Sequence, residues 1–185
     1  MHYENLTTIL QELLTAATAV KAQEVQVLEQ EILQADRIFI AGAGRSGFVA
    51  RAFANRLVHL GFTDYFVGES TTPAIGSTDL LIINSGSGLT QGMINAAQIA
   101  KQAQARVALI TIHPQSVLGE LADVVVKLPG ASSRAHDVQQ KISIQPNGSA
   151  FEQLTFLLYD SLVVDLKKIK HLSQKQLDQR HANLE

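Results

Sequence analysis

Two short glycine-rich stretches gather many of the side chains able to do chemistry in this 185-residue chain. The first, "GAGRSG" at 42–47, sets Gly42, Gly44 and Gly47 in the spacing G-x-G-x-x-G, with Arg45 and Ser46 between them. The second, "SGSGLT" at 85–90, holds Ser85, Gly86, Ser87, Gly88, Leu89 and Thr90. Each offers small residues, backbone N–H groups and a following helix N-terminus. Those are the makings of an anion site, because the unpaired amides of a first helical turn and the helix dipole both favour negative charge. Four hydroxyls (Ser46, Ser85, Ser87 and Thr90) and the Arg45 guanidinium add donors suited to a compact tetrahedral anion.

The same glycine spacing is a dinucleotide-binding fingerprint, and Glu69 lies where a ribose-binding acid is expected, roughly 20 residues on. A nicotinamide cofactor would need the second loop open so that its pyrophosphate could extend across the sheet. Here that loop is filled with hydroxyls and amides, and no further domain supplies a substrate site. A purely structural reading also stands: both loops are tight strand-to-helix turns whose serines serve as N-caps. Phosphate binding is preferred because the two loops converge.

They converge because of the elements around them. Residues 5–33 place Leu6, Ile9, Leu10, Leu13, Leu14, Ala17, Val20, Val27, Leu28 and Ile32 at steps of mostly three and four, which predicts one long amphipathic helix over about 4–33. "RIFIAG" (37–42), "DYFVG" (64–68), "DLLIIN" (79–84), "RVALITI" (106–112) and "ADVVVKLP" (122–129) read as strands. "FVARAFANRLVHL" (48–60) and "TQGMINAAQIAKQA" (90–103) read as helices between them. This alternation predicts a three-layer α/β/α sandwich around a five-stranded parallel sheet of order 2-1-3-4-5. Ligands of such sheets bind beyond the strand carboxyl ends where the order reverses, here between the first and third strands. Both glycine loops lie there. A polar stretch from Pro129 to Pro146, with Arg134 and His136 as lid candidates, leads to C-terminal helices over about 148–182. The apolar surplus on the first of these predicts a homo-oligomer.

The whole chain reads as one domain, residues 1–185. Apolar residues make up 46% and charged residues 17%, with a net charge of −2, so nothing draws the chain to nucleic acid or anionic lipid. The absence of cysteine excludes disulfides, thiolate metal sites and a thiol nucleophile. Six histidines without ligand spacing predict no metal. No apolar run reaches spanning length and no leader pattern opens the sequence, so the expectation is a cytoplasmic protein with no membrane partner.

At "SGSGLT" the chain resembles the SIS sugar isomerase family, whose phosphosugar loop has the form S-x-S-G-x-T. More narrowly it is similar to the 6-phospho-3-hexuloisomerases. The supporting stretches are "AGAGRSGFVARAFANRLVHLGF" (41–62), "VGESTTPAI" (67–75), "QPNGSAFEQ" (145–153) and "RHANLE" (180–185). Two departures stand out: Leu89 sits where Glu is common, and Asn147 where Met is common. Neither removes a hydroxyl or a carboxylate. The resemblance implies the SIS fold, a tetramer and no cofactor. It also implies interconversion of D-arabino-hex-3-ulose 6-phosphate and fructose 6-phosphate through a cis-enediol, coupled to hexulose-6-phosphate synthase in the ribulose monophosphate pathway.

Within that reading Glu152 is the general base, with Gly44, Arg45, Ser46 and residues 85–90 holding the phosphosugar. By spacing alone, however, "SAFE" (149–152) is an S-x-x-E capping box in which Glu152 would hydrogen-bond the N-cap amide. His181 is the second catalytic candidate, since imidazole titrates near neutrality; without the resemblance it would be frayed tail. Glu69 is a weaker candidate for a sugar hydroxyl. The alternatives are another SIS isomerase, for example of arabinose 5-phosphate, and a sugar-phosphate-binding module without turnover.

Overall fold

The computed structural model describes residues 3–131 and 143–184; Arg134 and His136 lie outside them. Two helices, α1 (Glu4–Ala17) and α2 (Ala22–Gln34), precede the sheet. Then come β1 (Ile38–Gly42), α3 (Gly44–Leu60), β2 (Asp64–Phe66), β3 (Leu80–Asn84), α4 (Gln91–Gln102), β4 (Arg106–Thr111), α5 (Val117–Leu121) and β5 (Val124–Lys127). Helices α6 (Ser149–Ile169) and α7 (Gln174–Asp178) follow. All strand pairs are parallel and the order is β2-β1-β3-β4-β5, as the alternation of elements predicts.

Side chains of period two divide between the sheet faces. Ile38, Ile40, Leu80, Ile82, Ala108 and Ile110 join the core under α1, α2, α3 and α6. Phe39, Ala41, Leu81, Ile83, Val107 and Leu109 join the core under α4 and α5. Helices α3 and α6 pack on each other through Phe53 and Tyr159, whose rings stack with centroids 4.1 Å apart.

The single N-terminal helix expected over 4–33 is instead two. Thr15 and Thr18 hydroxyls donate back to the Gln11 and Thr15 carbonyls, a local bond that competes with the helical ladder. Tight i→i+3 bonds at Ala19 and Val20 close α1, and Lys21 is extended before α2 begins. No glycine or proline marks this break, and the apolar steps run through it. The five-residue α5, capped by Ser116 accepting from the Gly119 amide, is likewise too short to show a period.

Asp79 is buried and binds Arg37 through both carboxylate oxygens, at 3.0 and 2.6 Å, while Oδ2 also accepts from the Gly76 amide. It ties the chain entering β3 to the start of β1. Asp64, opening β2, is less well served. Its Oδ1 is buried without a hydrogen-bond partner among the described residues. Burial, with the Glu69 charge second, pushes its carboxyl up to about 7. A folded-state value above the unfolded one means that folding favours the proton, so the site's stabilising contribution is complete below about pH 4 and is lost as pH rises towards 7. Replacing Asp64 with Asn, a neutral mimic of the protonated acid, is expected to raise stability at pH 8 and to change it little at pH 4. Urea melts of both proteins at the two pH values check this; equal effects at both would refute it.

Candidate active site

The site is built where β1 and β3 end side by side. After Gly42 the chain turns into α3 through Ala43 and Gly44, which is left-handed at φ +57°. A Cβ on Gly47 would fall 2.6 Å from the Gly42 carbonyl oxygen, so strand and helix cross here only because both residues lack side chains. The fingerprint spacing therefore has a steric reason within the turn itself. Asn84, the last residue of β3, donates from Nδ2 to the Ser46 carbonyl at 3.0 Å and joins the two loops.

In the second loop Ser85 and Ser87 are buried. The Ser87 hydroxyl accepts from the Leu89 amide at 3.2 Å. The Ser85 hydroxyl has no hydrogen-bond partner among the described residues. Thr90 stands at the N-cap of α4, yet its side chain makes no capping bond. The Thr90 side chain therefore does not cap α4, and Ser87 closes a turn within the loop. Gly86 packs so closely on Phe151 that an added Cβ would lie 3.1 Å from the ring, which seats the loop on the first turn of α6.

That first turn carries Glu152. The cap of α6 is Gly148, left-handed at φ +93°, not Ser149, and no side chain caps the helix. The capping box does not form. The Glu152 amide instead follows the ordinary ladder to the Gly148 carbonyl, and its carboxylate pairs with the Arg45 guanidinium across the cleft. Arg45, Phe48, Val49, Glu152, Gln153 and Phe156 line a cleft of about 260 Å³. One polar turn, one helix-borne carboxylate and two phenyl rings therefore meet at the carboxyl end of the sheet.

A model of the SIS domain matches residues 31–154. The 3-hexulose-6-phosphate isomerase of Bacillus subtilis is 42% identical over 182 residues, covering 98% of each chain. This chain belongs to the SIS-domain family of 3-hexulose-6-phosphate isomerases. The Mycobacterium gastri enzyme of the same name is 43% identical over 181 residues, 98% of this chain and 90% of its own. Among solved structures, a protein of Methanococcus jannaschii inferred to be a 3-hexulose-6-phosphate isomerase superposes with a TM-score of 0.84. It is 33% identical, covering 99% of this chain and 100% of that one.

In this member of the 3-hexulose-6-phosphate isomerase family, His181 and Glu152 line different hollows. His181 lines an adjoining one of about 280 Å³ that shares Val49 and Phe156 with the first. The tail is seated on the end of α3: Arg180 donates to the His59 carbonyl at 3.2 Å, and the His181 ring stacks on the buried His59 with centroids 4.9 Å apart. Burial holds the His59 imidazole below its usual range, with His181 and Arg56 adding to the effect. Glu69 pairs with Arg51, whose guanidinium lies 3.7 Å over the Phe66 ring, and it lines neither hollow. Among the described residues no three acidic or histidine side chains converge as metal ligands. None of their helices is long and apolar enough to cross a membrane.

Asn84, Gln153 and the Phe48 and Phe156 walls were not foreseen as site residues. Asn84 had a signal, a lone amide closing the otherwise apolar strand "LLIIN". The others had none, since lining a cleft depends on where α3 and α6 come together.

Proposed function

We propose that this chain interconverts D-arabino-hex-3-ulose 6-phosphate and fructose 6-phosphate, with the phosphoryl group held by Gly44, Arg45, Ser46 and the 85–90 loop. The observation that carries the reading is the position of Glu152. It is mostly buried at the start of α6, uncapped, and in contact with the turn that carries Arg45. Glu152 takes the C2 proton of the 3-ketose. The C–H electron pair becomes the C2=C3 bond of a cis-enediol, and the former C3 carbonyl oxygen gains a proton. Loss of the C2 hydroxyl proton and return of a proton to C3 then give the 2-ketose. One carboxylate serves both carbons, and such a base typically contributes about 10²–10⁴-fold.

His181 is assigned the oxygen-bound protons. In its own chain it faces the adjoining hollow, so this role requires the cleft of a neighbouring copy. A homotetramer supplies one, and the exposed apolar row of Leu6, Leu10 and Leu14 on α1 with Tyr3 just before it, together with Phe48, Phe156 and Leu157, supports assembly. The proposed setting is the cytoplasm. There a hexulose-6-phosphate synthase feeds the reaction from ribulose 5-phosphate and formaldehyde, and no cofactor is needed. Glu69 is left as an Arg51-held carboxylate at the rim.

The test is a coupled conversion: ribulose 5-phosphate, formaldehyde and a synthase are supplied, and products are followed by NMR. Fructose 6-phosphate that forms only when this protein is present supports the reading. Failure to form it, or preferential turnover of arabinose 5-phosphate, would overturn the assigned substrate.

A further inference from the structure

Glu152 is the proposed base, yet Oε2 of its carboxylate is occupied by Arg45 Nε. A carboxylate oxygen held by a guanidinium has a lone pair committed to that bond and accepts a carbon-bound proton poorly. The two partners are unequal. The Glu152 side chain is 14% exposed and its backbone is fixed in the α6 ladder, whereas the Arg45 side chain is 62% exposed. The partner free to move is the arginine.

Arg45 also belongs to the anion turn, between Gly44 and Ser46, and Asn84 ties that turn to the Ser85–Thr90 loop. A phosphoryl group seated between the loops would therefore arrive beside Arg45. It brings about two negative charges and three acceptor oxygens, against the single charge of a carboxylate, and matches the guanidinium fork.

We propose that Arg45 is a phosphate-operated gate on the general base. Without a phosphoryl group it pairs with Glu152 and occupies Oε2 of the carboxylate; a phosphoryl dianion on the 42–47 turn draws the guanidinium away and opens that oxygen to the substrate proton. The gate rests on the reading of Glu152 as base. It makes the phosphoryl group a requirement for proton abstraction as well as for binding, so that binding energy from a remote group is spent on the chemical step. Unphosphorylated ketoses would then be rejected in rate even when they occupy the cleft.

The experiment divides the substrate in two. Exchange of the C3 hydrogen of unphosphorylated fructose with D₂O is followed by NMR, with and without inorganic phosphite as the detached dianion. The native protein should accelerate exchange at least about tenfold when phosphite is added, the worth of one charged hydrogen bond. Arg45→Gln should exchange faster than the native protein without phosphite and should not respond to it. A separate readout follows the Arg45 Nε–H signal, assigned by its loss in Arg45→Gln. Phosphite should shift it, and in Glu152→Ala it should already be displaced from its native position.

If Arg45→Gln exchanges no faster than the native protein, or responds to phosphite as the native protein does, the gate is refuted. An Nε–H signal unmoved by phosphite refutes it even where exchange of free fructose is too slow to measure. If the native protein fails to isomerise fructose 6-phosphate itself, the functional reading falls instead, and that assay identifies the failure.

Discussion

Glu152→Gln is expected to lower kcat by about 10²–10⁴-fold while the folded protein still binds fructose 6-phosphate. The amide keeps the shape and the first-turn position of the side chain and removes only its capacity to accept a proton. Because α6 begins at Ser149 with Gly148 as its cap, the carboxylate contributes no capping bond whose loss would confuse the result. Thermal stability should stay close to that of the native protein, and calorimetric titration should find the affinity changed by less than about tenfold. Glu152→Asp, which withdraws the carboxylate by one methylene, should fall between, since a displacement of about 1 Å can cost roughly 10²-fold. A Gln variant with near-native turnover would remove Glu152 from the chemistry and leave the family's reaction to another base.

The second large effect is structural. Phe151, next to Glu152 in the chain, is 2% exposed and packs against Gly86 of the 85–90 loop and against Gly130, with Ile112 beside both glycines. Phe151→Ala should destabilise the fold by about 3–5 kcal/mol, the usual cost of emptying a buried aromatic position. In a chain of this size that corresponds to a drop in Tm of roughly 6–20 °C, read at one fixed protein concentration. Loss of the ring also removes the seat on which the 85–90 loop rests, so KM for the phosphosugar should rise together with the loss of stability. Phe151→Leu, which refills most of the volume, should restore both in large part. Full stability in the Ala variant would mean that the loop and α6 are not braced through this ring.

The parts of the molecule that could be read in one dimension were those governed by local period. Apolar runs such as "IFIAG" and "LLIIN" must be strands buried on both faces, and helical segments between them force parallel pairing and the reversal of order beside β1. Once that is known, the "GAGRSG" and "SGSGLT" turns can lie only at the carboxyl ends of neighbouring strands. Their hydroxyls and amides can be named from the sequence for the same reason.

Spacing could not decide the role of Glu152. By spacing alone S-x-x-E favours a capping box; in the structure Gly148 takes the cap and Arg45, 107 residues away in the chain, pairs with the carboxylate, so that box does not form. The break between α1 and α2 was hidden because the threonine back-bonds that end α1 leave the apolar period undisturbed. His181 was set one hollow away from Glu152 by its stacking on His59, a contact between the tail and the far end of α3. Which side chains recur along an element is a property of the chain. Which of them share a cleft depends on how distant elements pack, and that exists only after folding.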